Sequence, residues 1–186
     1  MATLQLQQIV AAGGDVIACG GPLVAHDVAP AATTYRADGT ITVDHPGLLL
    51  VWSLVDAAAD GAVLAANVDL DGGEHLVRCD RVEFPADGVA FLHTHQGPGI
   101  RCLVEGRFAV ETQGVRHEIE PLGAWFEAGP DPVYAEVRGD APAAFVRVMI
   151  LPRRLLGAPS IRYVRDEDRD RPKTQRYTVY VDEPLP

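Results

Sequence analysis

Residues 88–106 read GVAFLHTHQGPGIRCLVEG, and the centre of that stretch, His93-Thr94-His95, governs how the chain is interpreted. Valine, phenylalanine and leucine lead into the pair and Gln96-Gly97-Pro98-Gly99 closes it, the pattern of a strand that runs into a tight turn. In a strand, residues i and i+2 project to the same face, so two imidazoles at this spacing can converge on one ion. The same parity groups Val89 and Phe91 with His93 and His95, opposite Ala90, Leu92 and Thr94. An apolar wall leading to nitrogen ligands suits a small-molecule pocket.

Outward from this stretch the chain reads as β-structure almost throughout. Strand patterns cover residues 40–43, 48–55, 62–68, 75–84, 89–95, 100–105, 107–111, 115–120, 124–128, 133–137 and 145–151. Turn residues punctuate them at Asp38-Gly39, Asp71-Gly72-Gly73, Ala86-Asp87-Gly88, Gly129-Pro130-Asp131-Pro132 and Gly139-Asp140. Residues 4–12 are expected to form a short helix before Gly13-Gly14, and residues 152–156 a turn. Many short strands with frequent turns imply a sandwich or closed barrel. No internal repeat is evident, which disfavours two barrels.

A second stretch, PLGAWFEAGPDPVYAEV at residues 121–137, follows the first at a telling distance. Together the two make residues 76–152 resemble the cupin family, whose first motif runs glycine, HxH, a loop, glutamate and glycine, and whose second runs P-x-G, a strand, a proline turn and a third histidine. The resemblance implies an all-β, cupin-type jelly-roll barrel, a double-stranded β-helix. Residues 1–75 are then an N-terminal extension that adds strands to the barrel or covers its open edge, and residues 153–186 a C-terminal arm, the whole forming one structural domain.

The resemblance also exposes two departures. Gly99 stands where the family's glutamate would be, and Tyr134 where its third histidine would be, so the usual three-histidine, one-glutamate centre does not carry over. Gly99 is expected to leave space that a glutamate would have filled. Glu127 has two readings: as an isolated strand glutamate it turns to water, and as a neighbour of Trp125 in the element that faces HxH it completes a two-histidine, one-carboxylate set with open coordination positions. Tyr134 is implied to point inward, as a hydrogen-bonding or proton-donating group rather than a ligand. For Arg101, alternation exposes the side chain while the resemblance turns it inward, where its guanidinium would grip a substrate carboxylate in a forked pair. Gln96 reads as a loop residue, with orientation of a ligand or water as the alternative, Arg147 is expected at the surface, and His26, His45, His75 and His117 have no recruiting spacing.

The expected cofactor is one divalent metal ion (Fe, Mn, Ni or Zn) held by His93, His95 and Glu127, with Arg101 and Tyr134 as catalytic groups. The expected function is that of a metal-dependent enzyme acting on a small, anionic organic molecule by oxygenase, decarboxylase, isomerase or lyase chemistry. The competing class is a non-catalytic binding or sensing barrel with weak or no metal, which the changes at Gly99 and Tyr134 favour.

Composition bounds these readings. The chain has 186 residues, 47% of them hydrophobic, enough for one substantial core. Its formal net charge of −10 works against broad contact with phosphate backbones, so nucleic acid is excluded as a partner. No apolar run is long enough to span a membrane as a helix, no export signal is evident, and Cys19, Cys79 and Cys102 form no disulfide or zinc pattern, which fits a reducing cytoplasm. Neither a G-x-S-x-G elbow around Ser53 or Ser160 nor a phosphate-binding glycine fingerprint is present. Residues 162–176 mix both signs of charge and read as a solvated connection. The alternating run Tyr177-Thr-Val-Tyr-Val181 reads as a terminal strand that docks on its own barrel or crosses to a second subunit, so a homodimer is an open expectation.

Overall fold

Ala143–Pro152 carries apolar side chains on both parities: Val146, Val148 and Ile150 one way, Phe145, Met149 and Leu151 the other, all buried. Only a strand covered on both faces can use them all, and this one lies in the interior of an all-β molecule of stacked sheets. The computed structural model describes residues 2–70 and 73–186, so most of the expected turn at Asp71-Gly72 lies outside the described residues.

The N-terminal part holds β1 (Ala2–Ala11), β2 (Val16–Ala18), β3 (Leu23–Asp27), β4 (Thr33–Arg36), β5 (Thr40–Thr42), β6 (Gly47–Val55) and β7 (Leu64–Val68). The C-terminal part holds β8 (His75–Phe84), β9 (Val89–His95), β10 (Gly99–Glu105), β11 (Phe108–Thr112), β12 (Val115–Ile119), β13 (Ala124–Glu127), β14 (Val133–Val137) and β15 (Ala143–Pro152). These are followed by β16 (Ile161–Tyr163), the one-turn helix α1 (Asp166–Arg169) and β17 (Arg176–Pro184). The expected helix at residues 4–12 is instead β1. Its Leu4 and Leu6 alternate into the core, and Gln5 on the opposite face is satisfied by donating to the Ser53 hydroxyl and accepting from Ala59 N–H, so polar residues there mark a buried face rather than a helical one. The expected turn near residue 152 is a single 3-10 turn at Arg153–Leu155.

Two antiparallel five-stranded sheets, ordered β13-β10-β15-β8-β17 and β12-β11-β14-β9-β16, face each other as a jelly-roll barrel. A third, β4-β3-β6-β1-β7, packs on the outer face of the first, where Leu4, Leu50 and Trp52 meet Val77, Ile100, Cys102 and Val148. A pair of short strands, β2-β5, covers the far side of that third sheet over Ala25, Ile41, Val43, Leu49 and Val51. The middle sheet is therefore buried on both faces. That arrangement decides the conflict over Arg101: Ile100 and Cys102 point to the N-terminal sheet, and Arg101 and Leu103 point into the barrel.

The pairing repeats. β1, β3, β4, β6 and β7 lie in the same neighbour order as β8, β10, β13, β15 and β17, and β2-β5 stands to them as β9-β14 stands to the barrel sheet. The absence of a sequence repeat did not foretell this. The C-terminal arm pairs as β17 with β8 of its own chain, and the charged segment before it is less solvated than expected, since Asp168 and Gln175 are buried. All three cysteines are free, and no helix among the described residues is long and apolar enough to cross a membrane.

Candidate metal centre

His93 and His95 enter the barrel from β9, and a bulge in that strand sets what accompanies them. Val133 of β14 pairs with His93 and Ala135 with Ala90, so one extra β9 residue lies between the two pairs. The bulge reverses the expected parity upstream: Ala90 lines the cavity with the histidines, and Phe91 lies outside beneath the Arg171 guanidinium. Both imidazoles are buried. His93 Nδ1 lies 2.7 Å from Phe91 O, an acceptor only, so that nitrogen carries the proton and Nε2 presents a bare lone pair. His95 Nδ1 lies 3.4 Å from the Ser160 hydroxyl.

The carboxylate comes from a neighbouring strand. A Cβ on Gly99 would lie 2.6 Å from Val148 O, 2.8 Å from Met149 Cγ and 3.0 Å from Arg101 Nη1, so position 99 is crowded rather than open, contrary to the expectation of free space. Its cross-strand partner is Glu127. A buried carboxylate thus stands one strand over from position 99, on β13, at the same level of the barrel. Glu127 is buried: Trp125 Nε1 donates to its Oε1 at 2.8 Å, and Oε2 lies 3.5 Å from His95 Nε2. Arg101 Nη2 is 2.6 Å from Oε2 but without hydrogen-bond alignment, so both atoms are buried with unused bonding capacity. Arg101 Nη1 is fixed by donating to Gly99 O at 2.6 Å.

The two Nε2 atoms are 3.2 Å apart, and the donor atoms of His93, His95 and Glu127 all lie within 4.8 Å of one another. Ligands at roughly 2.0–2.2 Å from one ion, set at right to tetrahedral angles, stand about 3–3.5 Å apart, so the His93–His95 and His95–Glu127 separations of 3.2 and 3.5 Å fit, while the widest separation in the set would have to close on an ion. The protonation pattern fits as well. Burial lowers both imidazole pKa values, and Arg147 and Arg101 push His95 further down, so each ring is neutral near pH 7 and free to donate a lone pair.

Two residues that the sequence reading placed at the surface or passed over complete the site. Arg147 is buried, paired to Asp80 through Nε (2.6 Å) and Nη2 (3.1 Å), with Nη1 3.5 Å from His95 Nε2. The available signal was parity: Arg78 and Asp80 share a face of β8 with Val82 and Phe84, and Arg147 shares one with Phe145 and Met149, so charges alternate in register with core residues. Tyr134, by contrast, does not join the site. Val133, Ala135 and Val137 occupy the buried parity of β14, and Tyr134 lies on the outer face, where its hydroxyl donates to Glu136 at 3.1 Å beside Arg171. Gln96 is also outside, accepting from Arg154 and Arg162.

An HxH strand, a glycine-crowded neighbour and a carboxylate across from it thus lie together inside a double-sheet, all-β barrel. No family model matches the chain and no curated protein matches it. Among solved structures, AerE from Microcystis aeruginosa aligns with a TM-score of 0.47 at 10% identity, over 81% of this chain and 88% of that one. A salicylate 1,2-dioxygenase from Pseudaminobacter salicylatoxidans aligns at 0.41 and 8% identity, over 97% and 72%. A cupin domain from Bordetella pertussis aligns at 0.36 and 18% identity, over 45% and 88%. The cavity between the two barrel sheets has a volume of about 580 Å³ and is lined by the rings of Phe84, Phe108, Trp125 and Phe145, by the charged cluster, and by Tyr163, Lys173 and Tyr177.

Proposed function

We propose that the barrel is a metal-dependent enzyme site for a small, anionic organic molecule. The carrying observation is the convergence of His93 Nε2, His95 Nε2 and Glu127 Oε2 beside a cavity large enough for a substrate. In this reading those three residues hold one divalent ion, which when bound supplies Lewis-acid or redox chemistry to a molecule in the cavity. Arg101 holds the Glu127 carboxylate in place and is itself held by Gly99 O, a positioning task rather than the substrate grip expected from the sequence. The cationic side chains lining the cavity are Arg78, Arg101, Arg147 and Lys173, against Asp80, Glu127 and Asp182, and that surplus supports an anionic ligand. The free thiols support a reducing cytoplasm as the place of action.

A specific observation favours a second reading, a metal-free binding barrel: two buried guanidiniums flank the imidazoles, and Glu127 already has a cation 2.6 Å away. Elemental analysis of freshly purified protein separates the two. Near-stoichiometric Fe, Mn, Ni or Zn, reduced to trace by His93→Ala and by Glu127→Gln, is the expected result. A metal-free protein that takes up no divalent ion on dialysis refutes the enzyme reading and leaves the binding one.

A further inference from the structure

The three guanidiniums of the cavity are not equally available. Arg78 donates to Asp182, Leu155 O and Ala158 O through all three of its nitrogens. Arg101 is fully buried, donates through Nη1 to Gly99 O, and turns Nη2 to within 2.6 Å of the Glu127 carboxylate, which already faces its charge although the two atoms make no aligned hydrogen bond. Arg147 differs: its Nε and Nη2 form a fork on Asp80, its Cζ lies 5.8 Å from the Tyr177 ring centroid, and its Nη1 faces the imidazoles with only a long 3.5 Å contact to His95 Nε2. A guanidinium gripped along one edge by a carboxylate and covered by a ring keeps one free N–H-bearing corner at a fixed place, the geometry that recognises a planar oxyanion.

Along the barrel from that corner the lining becomes aromatic. Phe145 lies two residues before Arg147 on β15, and Phe84, Phe108 and Trp125 surround it with ring centroids 4.9–6.1 Å apart. The one polar atom these rings carry, Trp125 Nε1, is used by Glu127. Hydroxyl or amide groups at that end of a ligand would find no partner, whereas a ring fits edge-to-face.

We propose that the Asp80–Arg147 pair is the anion anchor of this cavity and that its ligand is an aromatic carboxylate, carboxylate toward Arg147 Nη1 and ring among Phe84, Phe108, Trp125 and Phe145. The inference rests on the cavity being the small-molecule site proposed above, and it deepens that reading by naming the substrate class and moving the anchoring role from Arg101 to Arg147. It does not require that the ion be present.

Isothermal titration of the full chain with benzoate, benzamide and hexanoate, alongside metal analysis of the same samples, tests it. Benzoate is expected to bind at least about tenfold more tightly than benzamide, its neutral isostere, and more tightly than hexanoate. The paired Asp80→Asn/Arg147→Gln variant, which leaves no unpaired charge behind, is expected to erase the benzoate preference, and Arg153→Gln on the surface to leave it intact. Arg147→Lys, which keeps the charge but loses the fork, should weaken benzoate several-fold without changing benzamide, and it serves if the double variant does not fold. Equal binding of benzoate and benzamide, no binding of either, or a preference that survives the double variant or is unmoved by Arg147→Lys overturns the anchor. Tighter binding of hexanoate overturns the aromatic assignment. Protein that discriminates benzoate while holding no metal sustains this inference and removes the metal-dependent reading instead.

Discussion

The N-terminal unit and the C-terminal barrel share one strand order and use it for opposite ends. At the centre of the barrel sheet Arg101 of β10 lies across from Arg147 of β15; at the corresponding place in the N-terminal sheet Ala25 of β3 lies across from Val51 of β6. Where β9 brings His93 and His95, β2 brings Val16, Ile17 and Ala18. The barrel sheet is faced by five strands across a cavity of about 580 Å³, whereas the N-terminal sheet is faced by two short strands over an aliphatic floor, with a cleft of about 360 Å³ rimmed by exposed Thr40, Thr42, Asp44 and His45. The topology therefore does not demand a polar interior. Buried ion pairs are poor sources of stability compared with packed hydrocarbon, so the pairs Asp80–Arg147 and Glu127–Arg101 are best understood as equipment of a site, carried by one copy of the fold and braced by the other.

The sharpest way to break this contrast is to write the barrel's chemistry into its counterpart. Val51→Arg puts a guanidinium where Arg147 would stand, but at a fully buried position among Leu23, Ala25 and Leu49, so a loss of several kcal/mol is expected in urea denaturation. A mild effect would mean that the N-terminal interior tolerates charge and that the two units differ less than their lining suggests. The converse change comes next in size. Glu127→Ala leaves the fully buried Arg101 unpaired and should cost about 3–5 kcal/mol, while the volume-matched pair Glu127→Leu/Arg101→Met should recover that loss or exceed the parent by about 1–4 kcal/mol while losing metal. A double variant as unstable as Glu127→Ala would show that the charges hold the barrel together rather than equip it.

The same contrast explains what the sequence could tell. His93, His95 and Glu127 were legible because strand parity and motif spacing are local, and the C-terminal strands because their turns are explicit. β2, β3 and β4 went unseen: they are three to five residues long, and the N-terminal unit fills its interior with the alanines and valines that any core would use. The helix expected at residues 4–12 failed for a related reason, since the alternation Leu4-Gln5-Leu6-Gln7 breaks at Gln8, whose amide is satisfied inside by Leu122 O. Arg101 looked ambiguous because alternation says only that two faces differ, and here both are interior. Tyr134 was misplaced by motif counting although Val133, Ala135 and Val137 already marked the inner parity, and Phe91 by a bulge that no residue type announces. Position 99 could not be read in one dimension at all, because the carboxylate beside it, Glu127, is adjacent across the ladder and twenty-eight residues on in the chain.

The smallest expected effect tests how the two units are joined. His26 of β3 is buried where the N-terminal sheet meets β17, its Nδ1 2.8 Å from the Thr33 hydroxyl and its ring 5.5 Å from that of Tyr180. Burial first, and Arg81 second, lower its pKa to about 4, against the opposing attraction of the Asp27 carboxylate for the protonated ring. Because the folded value lies below the unfolded value of about 6.5, the folded state binds fewer protons across this window. The stability contributed by neutral His26 is therefore complete above pH 6.5 and declines as pH falls toward 4, by at most about 2 kcal/mol at pH 5. His26→Asn keeps a hydrogen-bonding group toward Thr33 and cannot titrate, so urea midpoints measured at pH 7 and pH 5 should differ less in the variant than in the parent. If both fall equally, the acid sensitivity belongs to the imidazoles of the barrel, and the joint between the units is indifferent to protons; if only the parent falls, the seam along β17 is the part of the molecule that acid opens first.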